Sequence, residues 1–281
     1  MAEHLVRAGH SVIGYNRSRG PVDKLIESGG QGASSVAEAI RNADVIITIV
    51  PDSPDVQDVA LGEDGIYANA KQGAIHVDMS SIRPDVSVEL AEAGKKAGIR
   101  VVDAPVSGGE AGAKEAKLSI MVGAEPTDFD EVKPILEAMG TTVVLVGPPG
   151  SGQTVKAANQ LIVAGNYELV AEAIVFLRAY GVDTEAALKV LAGGLAGSTV
   201  LDRKGASMLA GQFQPGFRID LHHKDMGIIL DAARAKEVVI PLGAVTAQLI
   251  AALRAQGDGG LDHSALLRGV ERLSGQKVSG Q

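Results

Sequence analysis

Cysteine is absent from all 281 residues, which excludes disulfides, thiolate nucleophiles and thiolate metal centres. No apolar stretch reaches 18 uninterrupted residues, and the N-terminus carries no hydrophobic signal core. Positive charge is in deficit: the formal net charge is −8 at pH 7, opposite in sign to what nucleic acid or an anionic membrane would attract. Long charge runs and low-complexity tracts are missing as well, while 46% of the residues are hydrophobic, so sizeable cores can form and disorder is not expected. The expectation is a soluble cytoplasmic protein of about two domains, with neither nucleic acid nor membrane as a partner.

What is present divides at Gly147-Pro148-Pro149-Gly150. Before it, short apolar runs alternate with helical patterns. Strands are predicted at 12–15, 45–50, 74–78, 99–103, Leu118–Gly123 and 142–147, with helices at 1–9, around Val22 and Val36, at Pro84–Ala97 and at 127–139. The run 45–50 is apolar on both faces, as a buried parallel strand should be. Alternation of this kind implies an α/β fold with a doubly wound parallel sheet. After the division every patterned segment reads as helical, beginning with a long apolar pattern that continues to about Tyr180. The predicted domains are 1–148, binding a dinucleotide, and 149–281, all-α.

A further absence lies at the front. A doubly wound nucleotide domain starts with a strand, a glycine-rich turn and a helix, whereas this sequence starts at the helix. No G-x-G-x-x-G stands between a strand and a helix anywhere in it. The expectation is a sheet lacking its first strand, with Met1 an internal methionine and a native start roughly 12–18 residues earlier.

The long helix carries Lys156 near its start, with Gly152 four residues before and Asn159 three after, so all three share a face. A lysine and an amide beside a missing side chain could serve a carbonyl or a carboxylate; a solvated surface lysine is the alternative. Asn16-Arg17-Ser18 closes the strand at 12–15. An acidic residue there favours NAD, and a nearby arginine accommodates the NADP phosphate; with Asn16 in the position and Arg17 beside it, NADP(H) is expected over NAD(H). Two tempting clusters are set aside. Asp262-His263-Ser264 are consecutive and cannot converge as a hydrolytic triad, so helix capping is expected there, as at Asp183. His222 and His223 project about 100° apart on a helix, a poor metal pair, and no metal is expected.

Several short stretches line up in order: Asp103-Ala104-Pro105-Val106-Ser107-Gly108-Gly109 leading to Ser119-Ile120-Met121-Val122-Gly123; Gly152 to Asn159 as G-x-x-x-K-x-x-N; Val50-Pro51; Val77-Asp78-Met79-Ser80-Ser81; and Lys224-Asp225. Over nearly the whole chain these resemble the β-hydroxyacid dehydrogenases. The resemblance implies a Rossmann-type first domain and hydride transfer between NADP(H) and a small semialdehyde or hydroxy acid. It implies Lys156 as general acid, with Ser107, Gly108 and Gly109 at a substrate carboxylate and Asn159 orienting Lys156 or the substrate. Asn16, Arg17, Ser18, Val50, Pro51, Ser81, Lys224 and Asp225 would hold the cofactor, and the helical domain would form a homo-oligomer. Partial burial is expected to lower the Lys156 ammonium from the ordinary ~10.4 toward the working pH.

Pro51-Asp52-Ser53-Pro54-Asp55-Val56, the segments 193–198 and 216–222, and Asp262-His263-Ser264-Ala265-Leu266 look most like the branch that reduces tartronate semialdehyde to glycerate. Related enzymes acting on 3-hydroxyisobutyrate, glyoxylate or succinic semialdehyde are the nearest alternatives, and a non-catalytic binding or scaffold protein is the alternative of another class. One departure is Ala116-Lys117-Leu118 where the family commonly has Gly-Thr-Leu; the bulky cation is expected to disturb the strand beside the substrate loop.

Overall fold

The computed structural model describes residues 1–280, which form two compact units, one of Met1–Lys156 and one of the described residues from Ala157 on. The first unit opens with α1 (Ala2–Arg7), β1 (Ile13–Gly14), α2 (Arg19–Glu27), β2 (Gln31–Gly32) and α3 (Val36–Ile40). Then come β3 (Val45–Thr48), α4 (Ser53–Leu61), α5 (Ile66–Asn69), β4 (Ile75–Asp78), α6 (Pro84–Ala97) and β5 (Arg100–Asp103). β6 (Val106–Ser107), α7 (Gly109–Lys114), β7 (Leu118–Gly123), α8 (Pro126–Glu137) and β8 (Gly140–Gly147) complete it.

Local chemistry sets these boundaries. Asp52 caps α4 by accepting from Ser53 N, with Pro54 just inside the helix. Pro84 starts α6, and Gly98 ends it at φ 75°, a left-handed position suited to glycine.

The main sheet is rich in parallel pairs, as expected, with an antiparallel departure at β7. β3, β4 and β5 are parallel neighbours, but β7 runs antiparallel to both β5 and β6, and β8 is parallel to β7. The cause is the short excursion between β5 and β7. Its helix, α7, has 6 residues, too little for the crossover a parallel return requires; α8, with 12 residues, supplies one between β7 and β8. β1 pairs only with β2, in a separate parallel sheet. β3 differs from expectation too: its residues alternate between partly and fully buried, and Ile49 beyond its end is 55% exposed. The main core gathers Ile75, Val77, Val102, Leu118, Ile120 and Val122 from the strands, with Val132 and Leu136 from α8.

α9 (Ser151–Ala179) runs from the first unit into the second. It is long and apolar enough to match a membrane span by composition, yet Ala164, Ala171 and Ile174 on it are fully buried in the second unit's core. It is a core helix. α10 (Thr184–Ala192), α11 (Thr199–Leu209), α12 (Ile219–Ala235), α13 (Pro241–Leu253) and α14 (Leu266–Leu273) pack around that core. Asp183 and Ser198 cap α10 and α11 through their side chains.

Candidate active site

β5 delivers Asp103 to the carboxyl end of the sheet, and the chain turns through Ala104 and Pro105 into β6. Gly108 and Gly109 follow at φ 132° and 65°, backbone that side-chain-bearing residues adopt at a cost. A Cβ on Gly108 would also stand 3.3 Å from the Leu118 side chain. Lys156, on the second turn of α9, is 8% exposed, and its Nζ donates to Val106 O at 2.7 Å. The ammonium therefore lies against the loop that carries Ser107, Gly108 and Gly109.

Gly152 does something other than leave room for a ligand. A Cβ there would lie 2.4 Å from Met121 O and 2.7 Å from Asp103 Oδ2; the missing side chain lets the first turn of α9 press onto β5 and β7. Asp103 fills that contact. It is 1% exposed and accepts from Gly150 N at 2.6 Å and Gln153 N at 2.8 Å. Burial pushes its carboxyl up to about 6, against the pull of those two bonds and with help from the charge of Asp78. Gln153, 1% exposed, accepts from Ile82 N and donates to Ser80 O, tying the 80–82 segment to the same turn. Sequence reasoning missed both roles. The signal available was Asp103 itself, an acidic residue at the end of an apolar strand.

The segments expected to hold a cofactor rest on a buried polar chain. Val50 N donates to Ser80 Oγ at 2.9 Å, and the Ser80 and Thr48 hydroxyls both donate to Asp78 Oδ1 at 2.7 Å. With its hydrogen on Asp78, Thr48 Oγ1 accepts from His76 Nε2 at 2.9 Å, and His76 Nδ1 accepts from Tyr67 at 3.1 Å. Burial depresses His76 to about 4 and pushes Tyr67 up, with the Asp78 charge adding to the latter. Val50-Pro51 and Ser80-Ser81 thus follow the ends of adjacent parallel strands and are joined to each other. Near the end of β1, the Asn16 amide donates to Ser18 O and Oγ. Arg17, its side chain 75% exposed, pairs with Asp55 at 3.0 Å.

Asn159, expected to orient Lys156 or the substrate, donates its amide to Gln160 Oε1 at 2.8 Å. Gln160 in turn donates to Asp225 Oδ2 at 2.5 Å, and Lys224 pairs with Asp225 Oδ1 at 3.0 Å. These four residues form one chain within the second unit, because the short side chain of Asn159 reaches its neighbour along the helix. Lys117 is exposed and paired with Glu115 at 3.1 Å. Beside it β7 keeps its register with β6 through Ser107 and Ser119 but shifts register against β8 between Leu118 and Ser119, and Ala116 stands at φ 54°.

Asp262, His263 and Ser264 do not converge. Asp262 accepts from Ser264 N, Lys204 Nζ and Gly216 N. Burial opposes its charge, but the bonds from Ser264, Lys204 and Gly216 and the nearby His263 hold it at about 2. His263 Nδ1 faces His222 Nδ1 at 3.0 Å. Among the described residues no group of three His, Cys, Asp or Glu is arranged to hold a metal ion.

Two family profiles cover most of the chain. The profile described as the NAD binding domain of 6-phosphogluconate dehydrogenase matches residues 1–147. The profile described as the NAD-binding region of NADP-dependent 3-hydroxyisobutyrate dehydrogenase matches residues 150–270. The chain is 40% identical over 280 residues to 2-hydroxy-3-oxopropionate reductase of Escherichia coli K12, covering 99% of this chain and 95% of that protein. In structure it is similar to 3-hydroxyisobutyrate dehydrogenase of Mycobacterium tuberculosis with L-serine (TM-score 0.85, 30% identity, 95% and 92% of the two chains covered). It is similar also to Psf3 in complex with NADP+ and 2-OPP (TM-score 0.86, 26% identity, 95% and 94% covered). A buried lysine held against a Ser-Gly-Gly loop, two matching profiles and this identity agree: the chain belongs to the 3-hydroxyisobutyrate dehydrogenase-like β-hydroxyacid dehydrogenases, a family of NAD(P)-dependent oxidoreductases.

Proposed function

We propose that this chain reduces a short semialdehyde acid with NADPH, that tartronate semialdehyde is its best substrate and glycerate the product, and that Lys156 is the proton donor. The observation that carries the reading is the Lys156 ammonium, 2.7 Å from Val106 O and one residue from Ser107. The choice of substrate rests on the 40% identity to the E. coli reductase and on the segments shared with that branch.

The residues present fit a nicotinamide dinucleotide. An amide, a guanidinium and a hydroxyl stand together at Asn16, Arg17 and Ser18, a donor set suited to a phosphate. Val50, Pro51 and Ser81 follow the carboxyl ends of β3 and β4, where open α/β sheets bind ligands. These six residues, all in the first unit, would hold the cofactor. When bound, reduced nicotinamide supplies hydride to the carbonyl carbon. The chain's own part is acid catalysis and binding. As negative charge grows on the carbonyl oxygen, an Nζ–H of Lys156 moves to it, and the neutral amine regains a proton from solvent. The Ser107 hydroxyl and the backbone N–H groups of Gly108 and Gly109 hold the substrate carboxylate.

The second unit supports assembly from two copies. Ile162, Leu169 and Phe176 on α9 are 64%, 62% and 62% exposed, too much for core residues. Spaced seven apart, they share one face of the helix. A second copy of the same stripe would cover them.

Steady-state rates on tartronate semialdehyde, glyoxylate and succinic semialdehyde with NADPH and NADH, and on 3-hydroxyisobutyrate with NADP+ and NAD+, test the reading. The highest kcat/KM is expected for tartronate semialdehyde with NADPH; a higher value for another member of the panel reassigns the substrate.

A further inference from the structure

We infer that Asp103 is a positioning residue for Lys156: seated on the first turn of α9, it holds that turn, and so the lysine one turn on, against the substrate loop that Asp103 itself begins. The inference rests on Lys156 being the proton donor.

The loop and the helix are joined at two places. At one end both carboxylate oxygens of Asp103 accept at the start of α9, Oδ1 from Gly150 N just before the helix and Oδ2 from Gln153 N in its first turn. At the other end Lys156 Nζ returns a bond to Val106 O. Val106 is three positions after Asp103 and Lys156 three after Gln153, so the two bonds bracket one short stretch of loop and one turn of helix. An anion at a helix N-terminus is stabilised by the amides and the dipole there, which supplies a reason for a carboxylate in a site this dry. Two glycines are committed to the arrangement: a Cβ on Gly123 would stand 2.3 Å from Asp103 Oδ1, and one on Gly152 2.7 Å from Oδ2. The charged group acting on Asp103 is Asp78 from β4, and β7 brings the backbone of Gly123 against Oδ1.

Holding both bonds at once favours the ionised carboxylate, since protonation would present O–H to one of the two backbone N–H groups. With the group pushed up to about 6, mild acid loosens the same contact that an amide substitution loosens.

The test labels lysines by reductive methylation and reads each site by peptide mass spectrometry, in the parent and in Asp103→Asn. Labelling of Lys156 is taken relative to Lys71 and Lys133. The relative labelling of Lys156 should rise about tenfold in the variant, the population change expected when a charge-assisted bond is lost. It should also rise in the parent between about pH 7.5 and about pH 5, as Asp103 takes up its proton. In turnover, kcat should fall with the NADPH dissociation constant unchanged. An unchanged Lys156 ratio in a folded Asp103→Asn protein overturns the inference, as does a uniform rise at all three lysines. Should the variant fail to fold, an unchanged ratio across the two pH values in the parent overturns it instead. Labelling needs no turnover, so a chain that reduces no oxo acid but shows the predicted shift sinks the functional reading and leaves the positioning role standing.

Discussion

Arg17 and Ala116 show how single side chains carry testable consequences. The guanidinium of Arg17 is solvent-facing and paired with Asp55, an exposed ion pair of small intrinsic worth, so a phosphate can compete for it. Arg17→Ala should weaken NADPH by roughly 1.5–3 kcal/mol, the value of a charge-assisted contact, and leave NADH nearly unchanged. Asp55→Asn should tighten NADPH. Fluorescence titration of both cofactors checks the pair, and equal losses for NADPH and NADH would make Arg17 structural. Ala116 sits at φ 54°, where a Cβ is crowded and glycine is not. Ala116→Gly should raise stability by about 0.5–1 kcal/mol, read from a urea midpoint. The sequence drew attention to Lys117 next door, because bulk and charge are visible in a sequence and a dihedral angle is not.

Among elements, the segments with strong period were legible and the shortest were not. β7 and α6 have the bounds their patterns predict. β2 is two residues, Gln31 and Gly32, with no alternation to read. Thr48 was legible only as part of an apolar strand; its bond to Asp78, thirty positions away, is a product of the parallel register that sets the two side by side. Gly152 was read as space for substrate, because a missing side chain does not say which neighbour needs the room.

The buried titratable groups on these elements give opposed pH dependences. His76 is held near 4, below its ordinary value, so the stability of its neutral form is fully present above about pH 6.5 and is lost as pH falls through about 4. Glu168 on α9 is pushed up to about 7 by burial and the charge of Glu172. Its contribution is fully present below about pH 4.5 and is lost as pH rises through about 7. Between about pH 5 and 8, Glu168→Gln should remove a fall in stability on the order of 2 kcal/mol, measured by urea unfolding across that range. Parallel slopes for parent and variant would show that Glu168 does not titrate there.

At the scale of the molecule, the division into an α/β unit and a helical unit was legible, because the switch from alternating to purely helical patterns falls at a proline- and glycine-rich stretch. The family was legible from motifs in order. The inner support of the lysine was not, since it depends on contacts between residues 47 to 73 positions apart. Assembly belongs to this scale too. For the proposed two-copy assembly, Leu169→Asp, on the exposed stripe of α9, should lower the mass in light scattering to that of one chain while leaving the helical content intact; an unchanged mass would contradict pairing through this stripe. The most direct test of the whole account is NADPH oxidation on addition of tartronate semialdehyde, followed in the parent chain and in Lys156→Ala. The parent should turn over, and the variant should lose about 10²–10⁴-fold in kcat with its NADPH dissociation constant unchanged. A variant that keeps more than half of the parent's turnover, or a parent that binds NADPH and oxidises none of it, would contradict the account.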